Sequence, residues 1–276
     1  TTTPLPPPHS PMERPHIVRL HDQSLQYIPA NILEGQAIGS LQCPGNRLTD
    51  LPAKLRSHTA TLTDLSLASN ELAAIDPDII GSCTALRALT LSENRLVELP
   101  PSVGNLTSLE LLSLGGNSLT SLPSRLSECT SLRTLTLSKN ALVELPGAAF
   151  IGLNSLRTIR LDENPQLTSL PPELCNLPKL EALSVARCAL TTLPESIGSV
   201  STLSTLQARD NRLAYLPDSI GQLQRLRTLA LEGNRLHSLP TTIISCHMLR
   251  TLTLSVNRLL TLPPLDGLTS LQELRI

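Results

Sequence analysis

Arginine and carboxylate side chains lie close together in the second half of the chain, between residues 160 and 232. An arginine guanidinium group forms paired hydrogen bonds with a carboxylate, so a cluster of this composition can select a partner surface of complementary charge. The same side chains could instead neutralise one another as a solvated ion-pair network, which usually contributes little. The residues concerned, which we expect to share one side of adjacent strands, are Arg160, Asp162, Glu163, Arg187, Arg209, Asp210 and Glu232.

A second set of arginines directly follows an asparagine, and the run of three near the carboxyl end is the most basic feature of the sequence. Arginines in such positions commonly form a solvated edge whose aliphatic stems cover apolar surface. They could also extend a partner site toward the carboxyl end. The set comprises Arg47, Arg95, Arg212, Arg235 and Arg258.

Catalytic and metal-binding patterns are not found in the sequence. The six histidines form no HExxH motif, the pair Gly115-Gly116 lacks the lysine of a phosphate loop, and the six cysteines form no CxxC. We therefore expect no enzymatic activity, no cofactor and no metal site. Most cysteines fit as small buried hydrophobes. Cys175 lies in a segment that recurs along the chain, at a position that the other copies fill with glycine or polar residues, and we expect it to be the most accessible cysteine.

The composition restricts the class of partner. The 276 residues include 40% hydrophobic but only 1% aromatic residues, so the core must be aliphatic, and the formal net charge is -1. A near-neutral chain has no long-range attraction to nucleic acid or anionic lipid, so neither is an expected partner. No stretch approaches 18 apolar residues and the amino end does not resemble a signal peptide, which predicts no membrane insertion and a cytoplasmic location.

A repeat of 23 or 24 residues must position these side chains. It reads LxxLxLxxNxLxxLPxxI, and eleven copies fit between about Pro15 and Ser270, with a twelfth beginning at Leu271. We number the repeats in chain order and call the ninth position the ladder position. Its residues are Gln23, Asn46, Asn70, Asn94, Asn117, Asn140, Asn164, Cys188, Asn211, Asn234 and Asn257.

Each part of the repeat predicts a different local structure. Alternation of Leu252 and Leu254 with polar residues predicts a short strand, and the recurring proline excludes a long helix in the return segment. Stacked copies bury a continuous core. An amide side chain both donates and accepts, so a column of asparagines can bond the turns above and below. We expect this ladder to be weakest at Cys188, and the turn after Asn164 to bulge because Pro165 adds a residue.

This pattern resembles the leucine-rich repeat, in the 23-residue form of intracellular Ras-associated, Scribble-like and erbin-like proteins. The resemblance covers the chain from about Pro15 onward. It implies an α/β solenoid, a horseshoe with a parallel β-sheet on the concave face and irregular or short helical convex segments. It also implies protein partners on the concave face. We accordingly expect a proline-rich extended linker over residues 1–14 and a repeat solenoid over residues 15–276.

The sequence as a whole predicts a non-enzymatic scaffold that binds a protein partner on the concave face, centred on repeats seven to ten. An alternative is the recognition module of a larger signalling enzyme continuing beyond residue 276, such as a kinase, a GTPase-like protein or a ubiquitin ligase. An extracellular receptor ectodomain is a further alternative. The stretch from Pro4 to Pro8 satisfies the PxxP spacing and suggests a weak SH3-type contact.

Overall fold

Leucines at fixed positions of successive repeats fill one continuous core in the computed structural model, which describes residues 15–276. Leu65, Leu89 and Leu112, for example, follow one another in adjacent repeats and are at most 1% exposed. Phe150 is the only phenylalanine of the chain and is also buried. A single repeat would leave its leucines in water, so the core exists only because the repeats stack. The expected linker over residues 1–14 and its PxxP stretch lie outside the described residues.

Within residues 15–276, twelve parallel strands form one sheet in which each strand pairs with the next along the chain. Equivalent residues lie opposite each other, as in the pairing of Leu135 with Ile159. The solenoid fold expected from the sequence is thereby confirmed. The strands are β1 (His16–Arg19), β2 (Ile38–Gln42), β3 (Asp64–Ser66), β4 (Ala88–Thr90), β5 (Leu111–Ser113), β6 (Thr134–Thr136), β7 (Thr158–Arg160), β8 (Ala182–Ser184), β9 (Thr205–Gln207), β10 (Thr228–Ala230), β11 (Thr251–Thr253) and β12 (Glu273–Arg275).

Short 3-10 helices form most of the return segments, and a proline in extended conformation usually precedes them. Proline fixes φ and lacks an N-H, which suits the start of a helical turn. The 3-10 helices span Ala30–Leu33, Ala53–His58, Pro101–Asn105, Ser124–Glu128, Gly147–Ala149, Pro172–Asn176, Ile197–Ser199, Asp218–Gln222 and Thr241–Ser245. The repeat that has Asp76 in place of this proline forms a short α-helix, α1 (Pro77–Ser82), whose Asp78 and Ile79 N-H groups donate to the Asp76 carboxylate.

A left-handed turn residue ends each strand segment directly before the ladder position. In repeats two, five and ten this residue is a glycine, as at Gly116 with φ +68°. Several other repeats have a side chain there, including Lys139 and the β-branched Val256 with φ +58°. The left-handed conformation costs a non-glycine residue about 1 to 2 kcal/mol. This turn sets the point at which side chains leave the concave sheet.

The ladder asparagines satisfy the backbone groups that the turns direct inward. The Asn140 side-chain oxygen accepts from the Leu119 N-H at 3.0 Å, and its amide nitrogen donates to the Leu114 and Leu137 carbonyls at 3.0 and 2.9 Å. Each ladder asparagine therefore binds its own turn and the turn of the preceding repeat. Comparable bonds are made by Asn46, Asn70, Asn94, Asn117, Asn164, Asn211, Asn234 and Asn257.

The ladder changes at Cys188, but the turn of the preceding repeat compensates. The Cys188 thiol donates to the Leu161 carbonyl at 3.4 Å, and the Leu167 N-H, which corresponds to the donors of other repeats, does not reach it. The extra residue Pro165 creates a local turn in which Leu167 N-H donates to the Asn164 carbonyl at 3.1 Å. The bulge predicted at Pro165 is therefore the feature that removes the need for an acceptor at Cys188.

Candidate interaction surface

A depression of about 360 Å³ lies on the concave face, where β7, β8 and β9 run side by side. Small side chains form its floor, with Ala182 and Ser184 on the central strand β8. Larger polar groups, among them Arg160, Asp162 and Gln207, form its walls. On the central strand the short side chain of Ser184 lies between the longer Arg160 and Gln207 of the neighbouring strands, which leaves a hollow. It lies in repeats seven to nine, which belong to the charge-rich repeats seven to ten of the sequence analysis.

The seven charged residues predicted as one strand face occupy two kinds of position. Only Arg160 belongs to a strand, as the last residue of β7. The other six lie in the turns that follow β7, β8, β9 and β10. Six of the seven therefore lie just beyond the strands, because each of these strands ends after three residues. Glu163, Arg187 and Asp210 are the left-handed turn residues of their repeats.

Several of these charged side chains form ion pairs or hydrogen bonds within the protein. Arg187 lies between two carboxylates, 3.7 Å from Glu163 and 3.6 Å from Asp210. Asp162 accepts from the Ala186 N-H at 2.8 Å and from the Ser184 hydroxyl, so it ties repeat seven to repeat eight. Glu232 accepts from the Thr253 hydroxyl of the next repeat. These groups organise neighbouring turns.

Arg160 and Arg209 differ from them, since both are exposed and neither pairs with a carboxylate in residues 15–276. The same holds for Arg212, Arg235 and Arg258, which follow the ladder positions of repeats nine to eleven. Between residues 48 and 157 all six arginines form ion pairs. Of the nine arginines between residues 160 and 258, only Arg187 forms an ion pair within the described part of the chain. Arginine charge in the second region is therefore available to other molecules.

The sequence reasoning missed a third set of free arginines. Arg225, Arg227 and Arg250 are exposed beside the amino ends of β10 and β11, at the edge opposite to the ladder. Arg225 and Arg227 line a second groove of about 360 Å³. A comparison of the residues that immediately precede the strands would have revealed this set, because arginine and glutamate recur there in earlier repeats.

All six cysteines are buried and unpaired, which makes the prediction of an accessible Cys175 wrong. Its position is occupied in other repeats by Gly104, Gly198 and Gly221, where an added Cβ would lie within 2.4 Å of a carbonyl oxygen of the next repeat. Glycine there marks a close approach of two return segments, not exposure. Burial raises the pKa of the Cys129 thiol to about 12, and it raises the pKa of Cys175 as well. Such thiols stay protonated near neutral pH and are poor nucleophiles.

Two further features bear on the class of protein. Within residues 15–276, no three histidine, cysteine, aspartate or glutamate side chains come together in a way that could hold a metal ion. Over that same stretch, none of the helices has the length and apolar character needed to cross a bilayer.

Comparison with known proteins decides the family. The family described as leucine rich repeat matches residues 39–96, 84–142 and 130–190, which together span more than half of the chain. The chain belongs to the leucine-rich repeat family. A leucine-rich repeat protein of Leptospira interrogans is similar in structure, with 31% identity, a TM-score of 0.80, and coverage of 91% of this chain and 64% of that one.

Other solved structures share the leucine-rich repeat fold. Toll in the Toll-Spatzle complex of Drosophila has 26% identity and a TM-score of 0.76 over 86% of this chain and 34% of that one. The functional domain of InlJ from Listeria monocytogenes has 24% identity and a TM-score of 0.74, with coverage of 92% and 52%. The chain thus spans less than two thirds of the length of each of these proteins. Leucine-rich repeat proteins bind protein partners, and the fold is that of a protein-interaction module.

Proposed function

We propose that the protein binds a carboxylate-bearing surface of a protein partner in the depression over β7, β8 and β9. The observation that carries the proposal is the position of Arg160 and Arg209. Arg160 forms a wall of the depression, and Arg209 lies in the turn directly after β9, whose Gln207 forms the opposite wall. Both guanidinium groups are exposed and without a carboxylate partner in the described part of the chain.

The other walls of the depression suit a polar ligand. The Ser184 hydroxyl lies at its centre and 3.2 Å from the side-chain oxygen of Gln207. Asp162 is held by Ala186 and Ser184, so its charge helps to fix the floor while the two arginines remain free. A partner carboxylate can form paired hydrogen bonds with a guanidinium group in this setting. Because the region has few aromatic anchors, the binding energy must come mainly from arginine contacts.

The relatives support a binding role. Toll, a structural neighbour at 26% identity, is in a complex with Spatzle. On this basis the protein acts as a scaffold for a protein partner and not as an enzyme. The proposal also places it in the cytoplasm, as a member of the intracellular 23-residue class. Fractionation of cells that express the full reading frame tests this location, and recovery from the medium would contradict it.

Affinity capture from cell lysate, quantified by mass spectrometry, tests the binding site. The site variant is Arg160→Glu with Arg209→Glu. The matched control is Arg19→Glu with Arg47→Glu, which changes two exposed arginines of the first repeats by the same charge. A partner that depends on the depression is recovered about tenfold less with the site variant, which corresponds to about 1.4 kcal/mol, and equally well with the control. Equal recovery with both variants, at unchanged circular dichroism, would refute the proposed site.

A further inference from the structure

One column of side chains runs along the edge of the sheet where the strands begin. We call it the leading column and define it as the residue immediately before each strand from β4 to β11. Successive residues of the column are joined through the backbone: the Arg250 N-H donates to the Arg227 carbonyl at 2.8 Å, and the same bond recurs in earlier repeats. The column consists of Arg87, Glu110, Arg133, Arg157, Glu181, Ser204, Arg227 and Arg250.

The first part of the leading column neutralises its own charge. Glu110 lies between two arginines, 3.8 Å from Arg87 and 3.3 Å from Arg133. Arg157 pairs in the same way with Glu181 of the following repeat. These contacts show which group an arginine of this column binds, namely a carboxylate that approaches from an adjacent repeat.

The last part of the leading column lacks that carboxylate. Ser204, Arg227 and Arg250 follow one another, so two arginines are neighbours at the strand spacing of about 4.8 Å with no acid between them. Like charges in adjacent strands repel. Arg225, three residues before the start of β10, adds a third exposed guanidinium group. In the first part of the column a glutamate lies next to each arginine, whereas here the column residue before Arg227 is Ser204 and no carboxylate of the column adjoins Arg227.

A groove is present at this position. Arg225 and Arg227 line it together with Thr202, Ser204 and Met248, and its volume is about 360 Å³. The Thr202 and Ser204 hydroxyls donate to the backbone carbonyls of Leu180 and Glu181, so they do not compete for the guanidinium groups. The one carboxylate at the groove, Glu181, is already paired with Arg157. Met248, 37% exposed, supplies an apolar wall for the aliphatic part of a peptide.

We propose that this groove binds an acidic segment of a polypeptide, whose carboxylates take the place that Glu110 holds between Arg87 and Arg133. The charge of the surrounding region favours such a ligand. Residues 201–262 contain seven arginines and three carboxylates, a formal charge of +4 in a chain of net charge -1. Carboxylate is preferred over nucleic acid because the column itself uses carboxylates and because the groove has no aromatic side chain on which a base could stack. The groove shares no residue with the concave depression, so the two proposals stand independently.

Fluorescence anisotropy with the full chain tests the proposal, with fluorescein-labelled hexaglutamate as the probe and labelled hexaglutamine as the uncharged control. The groove variant is Arg225→Gln with Arg227→Gln. The matched control is Arg212→Gln with Arg235→Gln, which removes the same charge from the opposite edge of the same repeats. The groove variant binds hexaglutamate about tenfold more weakly than the parent, and the control variant binds within about twofold.

A second variant keeps all the arginines. Ser204→Glu places a carboxylate next to Arg227, where it imitates Glu110, and it should reduce hexaglutamate binding by about tenfold as well. Because the concave depression is itself proposed to bind carboxylates, the comparison is repeated in the Arg160→Glu, Arg209→Glu background. The groove variant should weaken hexaglutamate binding by about tenfold in that background as well, which separates this site from the concave one. Three results would overturn the proposal: no binding by the parent, equal weakening in the groove and control variants, or tighter binding of labelled oligouridylate than of hexaglutamate.

Discussion

Residues 48–157 and residues 160–258 have the same skeleton but use their charges differently. Both regions have buried leucines in adjacent parallel strands, a ladder of side chains behind the turns, and short helical return segments. In the first region every arginine is paired with a carboxylate, whereas most arginines of the second region have no carboxylate partner among residues 15–276. Surface ion pairs add little stability, so the difference concerns binding more than folding. The residues that stack the repeats and those proposed to recognise partners are therefore separate sets.

The two cores should respond alike to the loss of a buried leucine. Leu135 in β6 and Leu206 in β9 are both fully buried. Changing either residue to alanine should lower the free energy of unfolding by about 2 to 5 kcal/mol, because apolar contacts are lost and a cavity remains. Urea denaturation of the two variants measures this effect, with Thr134→Ala and Thr205→Ala on the exposed faces of the same strands as controls. A loss confined to one region would mean that the two skeletons are not equivalent.

Exchange of ladder residues should affect the two regions unequally. Asn140→Cys removes the acceptor of the buried Leu119 N-H and should cost about 1 to 3 kcal/mol. Cys188→Asn supplies an acceptor where the Leu167 N-H is already bonded to Asn164, so it should change stability by less than about 1 kcal/mol. Equilibrium unfolding in guanidinium chloride distinguishes the two outcomes. A large gain for Cys188→Asn would show that the turn at Pro165 does not compensate.

The left-handed turns allow a smaller test of the same comparison. Val256, 82% exposed, holds φ +58° in the second region. Val256→Gly should stabilise the protein by about 1 kcal/mol, because glycine adopts this left-handed conformation without strain and the exposed valine loses no buried contact. Gly116 is its counterpart in the first region, and Gly116→Val should destabilise by about 1 to 2 kcal/mol. Thermal unfolding monitored by circular dichroism measures both shifts. Unchanged melting temperatures in both variants would remove backbone strain as a difference between the turns.

The repeat period explains why the fold was predictable from the sequence. Leucine spacing placed the strands, the LP dipeptides indicated irregular return segments, and the asparagine column located the turns. Each of these features follows from local geometry that is repeated many times, so a single error of interpretation would have been visible against the other copies. The extra residue at Pro165 was recognised for the same reason.

The candidate binding residues were only partly predictable, because exposure and pairing depend on contacts between repeats. The sequence left open whether Arg187, Asp162 and Glu232 serve a partner site or an internal network, and neighbouring turns hold all three. It overlooked Arg227 and Arg250, since a column of side chains becomes apparent only when each repeat is placed beside the next. Cys175 was misjudged because glycine at its position was interpreted as a sign of exposure, whereas it reflects close packing.

The uniform spacing of the parallel strands also sets a length scale for a ligand of the proposed concave site. Neighbouring strands are about 4.8 Å apart, and a peptide in the polyproline II conformation advances about 3.1 Å per residue with about three residues per turn. Three such residues laid across the strands therefore cover about 9 Å, close to the width of two repeats. Side chains three residues apart lie on the same face of this helix and would meet equivalent positions in alternate repeats, such as Arg160 in repeat seven and Gln207 in repeat nine. For the proposed concave site we therefore expect ligands whose sequence has a period of three.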